Sequence, residues 1–256
     1  MKKTYVGMML LCLLLLLGCV GEKKAGEDKG ESADIIVGVE EKNAPYYSVD
    51  EKGEESGLYV DLMEELAAKG GFTYSFCPMT ISGFRGSAGQ ECDVFLGNME
   101  MERGSMAKYA QMEPFFQTAL CLMVKKGSAI KEKSDLRGVS IAATAGAGEE
   151  NFAEYLASKY GADSILFVNE KSCYEDFAAG YSEGLVVEDI LAQKKKKKDK
   201  NFRIMITSKK YKSSHTFTAR SASGIPKLLS EGMKRMKEDG SLGVLIQKYK
   251  DSFSQI

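Results

Sequence analysis

From residue 35 onward, strand-like segments alternate with helix-like segments, and this alternation constrains the fold more than any other feature. The strand-like segments are short apolar runs, whereas the helix-like segments carry apolar residues at every third or fourth position. Strands are predicted over 35–39, 72–77, 93–96, 119–125, 139–143, 164–168, 185–187, 202–206 and 216–219. Helices are predicted over 57–69, 149–160, 172–179, 189–196, 225–238 and 242–249, with a short helix or turn over 82–90. This order predicts an α/β fold with mainly parallel sheets covered by helices on both faces, and the length fits two such sheets.

The N-terminus has the pattern of an export signal. Lys2 and Lys3 precede an apolar run over 6–17, which is shorter than the about 20 residues that a membrane-spanning helix needs. Leu-Leu-Gly-Cys at 16–19 resembles the lipobox of bacterial lipoproteins, which implies cleavage after residue 18 and acylation of Cys19. The alternatives are an ordinary cleaved signal or a short anchor with a chance cysteine. Residues 1–18 are therefore expected to be a signal peptide, and the mature protein is expected on the extracytoplasmic face of the cell membrane.

Residues 19–34 are rich in Glu, Lys, Gly, Ser and Asp, and this composition predicts a disordered tether.

The formal net charge of the chain is −1 at pH 7, which gives no basis for a nucleic-acid partner. Five consecutive lysines at 194–198 are interpreted as the solvated end of a helix, with a membrane-surface contact as the alternative.

Cysteine and histidine are too sparse for a zinc site, and no metal or other cofactor is expected. Cys77 ends one predicted strand and Cys92 begins the next, so in parallel strands the two would lie at opposite ends of the sheet, too far apart for a disulfide. Together with Cys121 and Cys173 they are expected to be free thiols. The single histidine, His215, is expected to be structural or exposed.

Several short motifs stand in a characteristic order along the mature chain. They are Ala-Pro-Tyr-Tyr at 44–47, Gly-Leu-Tyr-Val-Asp-Leu at 57–62, the segment 92–103, Glu-Pro-Phe-Phe at 113–116, Asp-Leu-Arg-Gly at 135–138, and Glu-Asp-Gly-Ser-Leu at 238–242 followed by Tyr249. Their order and spacing resemble the extracellular solute-binding proteins of ABC importers, specifically the family that binds polar amino acids.

The resemblance implies a type 2 periplasmic-binding-protein fold with two lobes that close on a ligand. Lobe 1 is expected over 35–120 with 214–256, and lobe 2 over 122–211, with hinges at 118–123 and 208–214. The implied ligand is a polar amino acid or a similar small zwitterion or amine, which a monomeric, membrane-anchored protein delivers to an ABC permease.

Asn98, Glu100 and Arg103 are expected to contact the ligand, and a guanidinium group is expected to bind its carboxylate. Arg103 is the first choice because a guanidinium binds a carboxylate bidentately, and Arg85 is its rival. Glu100 stands where the family commonly has a small hydroxyl residue, so it adds negative charge to the pocket.

A helix N-terminus is the second expected contact for the carboxylate. Gly146, Ala147 and Gly148 precede a predicted helix, and their backbone N–H groups are expected to face the ligand. The alternative is a plain glycine-rich turn between a strand and a helix.

Glu188 or Asp189 is expected to bind the ligand ammonium, because both follow a buried strand at the edge where α/β sheets bind ligands. The alternative role for Asp189 is helix capping, which would leave Glu188 for the ligand. Tyr46 and Tyr47 are expected to give a stacking face, unless one ring belongs to the core. The departures from the family pattern keep a cationic amino acid or a small amine open as the ligand.

Two other functions stay open at this stage. A ligand-sensing subunit of a signalling system would use the same closure. A dehydratase-like enzyme on the same fold is disfavoured, because His215 is isolated in the sequence and no Ser-His-Asp set is visible. The protein is therefore expected not to be an enzyme.

Overall fold

The structure, a computed structural model, describes residues 34–41, 43–87, 90–101 and 108–254. The strands are Asp34–Val39 (β1), Ser48–Val49 (β2), Glu55–Ser56 (β3), Thr73–Pro78 (β4), Val94–Gly97 (β5), Tyr109–Gln111 (β6), Phe116–Lys125 (β7), Ser140–Thr144 (β8), Asp163–Phe167 (β9), Gly184–Glu188 (β10) and Phe202–Arg220 (β11). The helices are Leu58–Gly70 (α1), Ile81–Gly86 (α2), Gly148–Tyr160 (α3), Glu170–Ala179 (α4), Asp189–Lys198 (α5), Ile225–Glu238 (α6) and Ser241–Ser254 (α7), and a 3-10 helix spans Lys133–Leu136. The predicted signal peptide, Cys19, nearly all of the tether and Arg103 lie outside the described residues.

The main sheet has the strand order β4-β1-β5-β11-β7-β10-β8-β9, with β6 paired to β11 beside this path. At one end, β1 runs parallel to β4 and β5. At the other end, β8 runs parallel to β9 and β10. We refer to β1, β4, β5 and β6 as the N-terminal half of the sheet, and to β8, β9 and β10 as the central half.

Two long antiparallel strands, β7 and β11, join these halves. The C-terminal part of β11 pairs with β5 and β6, while β7 pairs with β10. One sheet in each half was expected, and the pairing of β7 with β11 links the two into one continuous path. The strands predicted over 202–206 and 216–219 are likewise parts of the single strand β11.

The β7–β11 ladder shifts its register between Thr207 and Lys212. Thr207 lies opposite Cys121, whereas Lys212 lies opposite Ala119. The residues of β11 between them therefore have no paired residue on β7. Within this stretch the Ser208 hydroxyl accepts hydrogen bonds from the backbone N–H groups of Lys210 and Tyr211. The irregularity falls in the predicted hinge at 208–214, and such a break gives a strand a place to bend.

Helix α1 packs against the N-terminal half through side chains spaced one turn apart. Leu58, Leu62 and Leu66 are fully buried, and the helix ends at Gly71 in a left-handed conformation. Before α1, Gly57 has φ of 130°, and a Cβ there would lie 2.3 Å from the Tyr46 carbonyl oxygen. Glycine at this position therefore allows the loop after β1 to pack closely against the N-terminus of the helix.

The cysteines at 77, 92, 121 and 173 are free. The expectation that Cys77 and Cys92 lie at opposite ends of the sheet was wrong. The Cys92 thiol lies 3.6 Å from Sδ of Met79, the residue that directly follows β4, and β4 contains Cys77. Burial raises the pKa of the Cys92 thiol to about 11, so it carries little thiolate at neutral pH. No helix among the described residues is long and apolar enough to cross a membrane.

Candidate functional site

A buried carboxylate lies where β10 meets the crossing strands. Glu188 is 2% exposed and its oxygens accept hydrogen bonds from side chains of three different segments. The Tyr46 hydroxyl lies at 2.5 Å, the Thr118 hydroxyl at 2.6 Å and the Ser213 hydroxyl at 3.1 Å, and Nε2 of His215 lies at 3.2 Å. These contacts fill the accepting capacity of the carboxylate.

Strand pairing places these groups together. Thr118 of β7 lies directly opposite Ser213 of β11, so their hydroxyls approach the same carboxylate. Glu188 is held beside them because it lies opposite Leu120 in the β10–β7 ladder. Tyr46 belongs to the N-terminal half, where its carbonyl accepts a hydrogen bond from the Tyr59 N–H at 2.9 Å.

The hydrogen-bond donors around Glu188 favour its ionised form. Burial alone would raise its pKa, but the charge of His215 and the hydrogen bonds from His215, Thr118 and Tyr46 outweigh burial, and the net pKa is below its usual value. Burial, and next the charge of Glu188, raise the pKa of Tyr46 well above its usual value, so this phenol remains a donor. The cluster therefore holds an ionised carboxylate in a buried position.

His215 is 1% exposed and belongs to this cluster, so the expected alternative that it is exposed is wrong, and its isolation in the sequence does not extend to the fold. Its Nδ1 lies 2.6 Å from the Tyr59 hydroxyl, and its ring centroid lies 4.2 Å from that of Tyr46. Ser213 and Glu188 both approach the other nitrogen, Nε2, at 3.5 and 3.2 Å. A Ser-His-acid triad needs the hydroxyl and the carboxylate on opposite ring nitrogens, so this arrangement lacks triad geometry.

The two tyrosines of the predicted stacking face lie in different surroundings. The Tyr46 ring stacks on Tyr59 at a centroid distance of 5.6 Å, within the cluster. Tyr47 packs against Phe76 at 5.0 Å and donates its hydroxyl to Glu55 at 2.7 Å. Tyr46 thus contacts the Glu188 cluster, while Tyr47 is a core residue, as the alternative expectation had it.

A second buried carboxylate, Glu149, lies in the first turn of α3. The Asn98 amide nitrogen lies 3.2 Å from Oε2 of Glu149 and 3.0 Å from the Ser213 hydroxyl, and so connects α3 to the Glu188 cluster. Burial, and then the charge of Glu188, raise the pKa of Glu149 well above its usual value. The Asn98 amide oxygen is buried and has no hydrogen-bond partner among the described residues.

The glycine-rich loop before α3 contacts the segment after β5 directly. The Glu100 N–H donates to the Gly146 carbonyl at 2.8 Å, and Met99 forms an isolated antiparallel bridge with Ala147. Gly148 starts α3, close to the Glu100 carboxylate. These backbone contacts run between the two halves of the sheet.

Two side chains already use polar groups of this loop. The Gly146 N–H, one of the expected ligand donors, donates to Glu150 at 2.6 Å. Arg85 donates to the Glu100 carbonyl at 2.6 Å, and the Gly146 carbonyl lies 3.5 Å from the same nitrogen. The rival arginine is therefore beside the predicted loop, whereas the first choice, Arg103, lies outside the described residues.

Asp189 begins α5 and is half-buried, but it does not share the Glu188 cluster. Its side chain lines a groove of about 600 Å³ with Thr118, Gln193 and Lys197. The residue at the cap position of α5 is Glu188, which makes no side-chain capping hydrogen bond. The expected alternative, capping by Asp189, is therefore wrong.

Sequence reasoning missed Thr118, Glu149, Ser213 and His215 of this site, and it also missed the buried carboxylate of Glu40. Glu40 directly follows β1, and the argument that selected Glu188 from the end of its strand would also have selected Glu40. Thr118 and Ser213 carried no such signal, because only the register of β7 against β11 brings them together.

Chemically, the described site is rich in buried acceptor oxygens and aromatic rings, which suits a ligand that brings hydrogen-bond donors or positive charge. Within the described ranges, no group of three or more His, Cys, Asp and Glu side chains is arranged to hold a metal ion.

Residues 35–252 match the family model of bacterial extracellular solute-binding proteins, family 3. The chain belongs to this family. This solute-binding protein is 23% identical to the L-cystine-binding protein TcyJ of Escherichia coli strain K12, over 97% of each chain. It is 22% identical to the lysine/arginine/ornithine-binding periplasmic protein of the same strain, over 98% of each chain.

The fold of this solute-binding protein is also found in solved structures. An ancestral arginine-binding protein bound to arginine superposes with a TM-score of 0.74 at 21% identity, covering 85% of this chain and 98% of the other. The α/β architecture is that of the type 2 periplasmic binding proteins, as the motif order predicted.

Proposed function

We propose that this protein captures a polar amino acid, or a similar small zwitterion or amine, in the cleft between two lobes and delivers it to the permease of an ABC importer. Lobe 1 comprises 35–120 with 214–256, and lobe 2 comprises 122–211. Closure would bend β7 and β11 near the register shift at 207–212, while each lobe moves as a rigid body. A ligand that contacts both lobes stabilises the closed state by its higher affinity for that state.

The buried polar network that spans both halves of the sheet carries this proposal. Tyr46 and Asn98 come from the N-terminal half, Glu149 and Glu188 lie at the edge of the central half, and Ser213 of β11 lies between them. Opening the lobes would expose these groups to solvent, and closing them on a ligand would satisfy those that lack partners. Relatives named for cystine, arginine, lysine and ornithine support an amino-acid-like ligand.

A thermal-shift screen of the purified protein against the twenty amino acids, polyamines and short peptides tests this proposal. A solute at 100 times its Kd adds about 2.7 kcal/mol to the free energy of unfolding, so a true ligand raises Tm by several degrees. If Arg103 binds the ligand carboxylate, Arg103→Ala weakens binding while the exposed Arg137→Ala does not. A complete lack of response across the panel would contradict the proposal.

The lipid anchor at Cys19 has its own test. Expression of Cys19→Ser should release the protein from the membrane fraction and remove the acyl mass, whereas Cys12→Ser, within the signal peptide, should change neither. Unchanged membrane association of Cys19→Ser would contradict acylation at this residue.

Uptake measurements test delivery to a permease. Deletion of the gene should abolish uptake of the solute identified by the screen, and the wild-type gene should restore it. Normal uptake together with an altered transcriptional response to the solute would instead favour the sensing alternative.

A further inference from the structure

The first turn of α3 contains two consecutive glutamates whose carboxylates bind backbone N–H groups where the helix begins. Glu150 accepts a hydrogen bond from the Gly146 N–H at 2.6 Å. Burial, and then the charge of Glu188, raise the pKa of Glu149, while a hydrogen bond from its own backbone N–H opposes that rise. The N–H groups at a helix N-terminus lack partners within the helix and attract anions. Here two carboxylates of the chain itself already use two donors of this segment.

Glu149 faces the polar network of the site and not the solvent. It is 5% exposed, and the Asn98 amide nitrogen lies 3.4 and 3.2 Å from its two oxygens. The same nitrogen lies 3.0 Å from the Ser213 hydroxyl, which donates to Glu188 at 3.1 Å. A chain of hydrogen bonds through Asn98 and Ser213 therefore connects two buried carboxylates of the central half.

A third carboxylate lies close to the start of α3. Oε1 of Glu100 is 3.4 Å from the position that a Cβ at Gly148 would take, and burial raises the pKa of Glu100. Arg85, beside the same loop, donates to the carbonyl oxygen of Glu100 at 2.6 Å. A solute carboxylate placed at this helix N-terminus would meet Glu100, Glu149 and Glu150 at short range. Like charges in a buried site repel strongly, and the two N–H donors are in use whether or not Glu149 carries a proton.

A positively charged nitrogen meets the opposite situation. Glu149 and Glu188 offer it two buried carboxylates, and the amide oxygen of Asn98 is buried without a hydrogen-bond partner among the described residues. An ammonium group brings three donors and a charge that compensates the burial of these acceptors. The described polar groups at this end of the cleft therefore suit a cation better than an anion.

We propose that Glu149 fills the place that a solute carboxylate would need at the N-terminus of α3, so that the solute is an amine or diamine without a carboxylate group. The inference rests on the proposed function, because it names the class of solute that the same cleft accepts. It narrows that class to compounds such as the decarboxylated counterparts of basic amino acids. Glu149 then determines specificity, because it excludes the carboxylate and favours the charged nitrogen.

Calorimetric titration with matched pairs of solutes tests this proposal. Lysine and cadaverine differ only in the α-carboxylate, and arginine and agmatine form the second pair. We expect the amine of at least one pair to bind at least about tenfold more tightly than its parent amino acid, because the amine avoids the repulsion from Glu149. Equal or tighter binding of the amino acid in both pairs would overturn the inference.

Glu149→Gln keeps the shape of the side chain and removes its charge. We expect the preference for the amine to fall by about tenfold or more in this variant, whereas Glu154→Gln, at an exposed position of the same helix, should retain it. The Tm of each variant shows whether it is folded. An unchanged preference in folded Glu149→Gln would overturn the inference, and if that variant does not fold, the wild-type pairs decide it.

The same titrations separate this inference from the proposed function. Binding of an amino acid without binding of the matched amine would overturn the inference and leave the proposed function standing. If no amino acid or amine binds the wild-type protein, both fail.

Discussion

The hydroxyl of Tyr46 donates a hydrogen bond to Oε2 of Glu188, which lies 142 positions further along the chain. Tyr46 belongs to the loop after β1, and Glu188 ends β10, so this contact joins the two halves of the sheet. Both residues are almost fully buried. The acceptor is a charged group that lies among hydroxyls and an imidazole. Removal of a donor should therefore lower the stability of the fold and weaken the contact between the two halves.

Replacement of Tyr46 by Phe removes this donor without changing the shape of the ring. We expect the free energy of unfolding to fall by about 1.5–3 kcal/mol, the range for a hydrogen bond to a charged group. Urea denaturation at pH 7 measures it. Tyr181→Phe is the matched control, because Tyr181 is 81% exposed and should change stability little. Equal effects of the two substitutions would contradict a stabilising Tyr46–Glu188 contact.

Glu188→Gln removes the charge that faces His215 and should lower stability by about 3 kcal/mol at pH 7. The folded-state pKa of Glu188 is lowered, so its contribution is fully present above the usual value of 4.5 and is lost as the pH falls through the lower, folded-state pKa. The difference in Tm between wild type and variant should therefore shrink in acid. A constant difference from pH 7 to pH 3 would contradict this account.

The contribution of Glu40 to stability should depend on pH in the opposite direction to that of Glu188, because the pKa of Glu40 is raised from 4.5 to about 8. Between these values the folded state binds the proton that the unfolded state has released, so wild-type stability should decrease as the pH rises. The shift corresponds to a loss on the order of 5 kcal/mol. Glu40→Gln should remove this loss and raise Tm at pH 8 but not at pH 4.5.

Thermal unfolding across pH 4.5–8.5 measures that effect, with Glu51→Gln as the control at an exposed position. Parallel pH profiles for wild type and Glu40→Gln would show that Glu40 is ionised in the folded protein at neutral pH.

Gly148 is predicted to tolerate no side chain. A Cβ there would lie 2.7 Å from the Lys212 carbonyl oxygen, a backbone atom of the irregular part of β11. Gly148→Ala should lower stability by about 1–3 kcal/mol through this clash. Gly243→Ala in α7 meets no atom within 4 Å and should be neutral or stabilising by up to about 1 kcal/mol. Chemical denaturation of both variants gives the comparison, and a stabilised Gly148→Ala would contradict the close approach.

Much of the local structure was predictable because its causes are local. The apolar spacing in α1 and the glycine that ends it specify the helix, and the prediction for α6 matches Ile225–Glu238 at both ends. The two-residue strands β2 and β3 and the short β6 were missed, because such short segments carry no periodicity. The segment predicted as a short helix or turn over 82–90 contains most of α2, which begins at Ile81 and ends at Gly86.

Local patterns along the chain were sufficient to predict the α/β class, the motif order of the solute-binding family and the acidic residue at the end of β10. Each of these depends on periodicity, on turn residues or on a position at the end of a strand, which neighbouring residues specify. The tertiary structure alone decided that Thr118, Ser213 and His215 surround Glu188, and that the loop at 146–148 contacts Met99 and Glu100. Those contacts join residues far apart in the chain, and they arise from the register of β7 with β11 and the packing of the two halves, which no local pattern encodes.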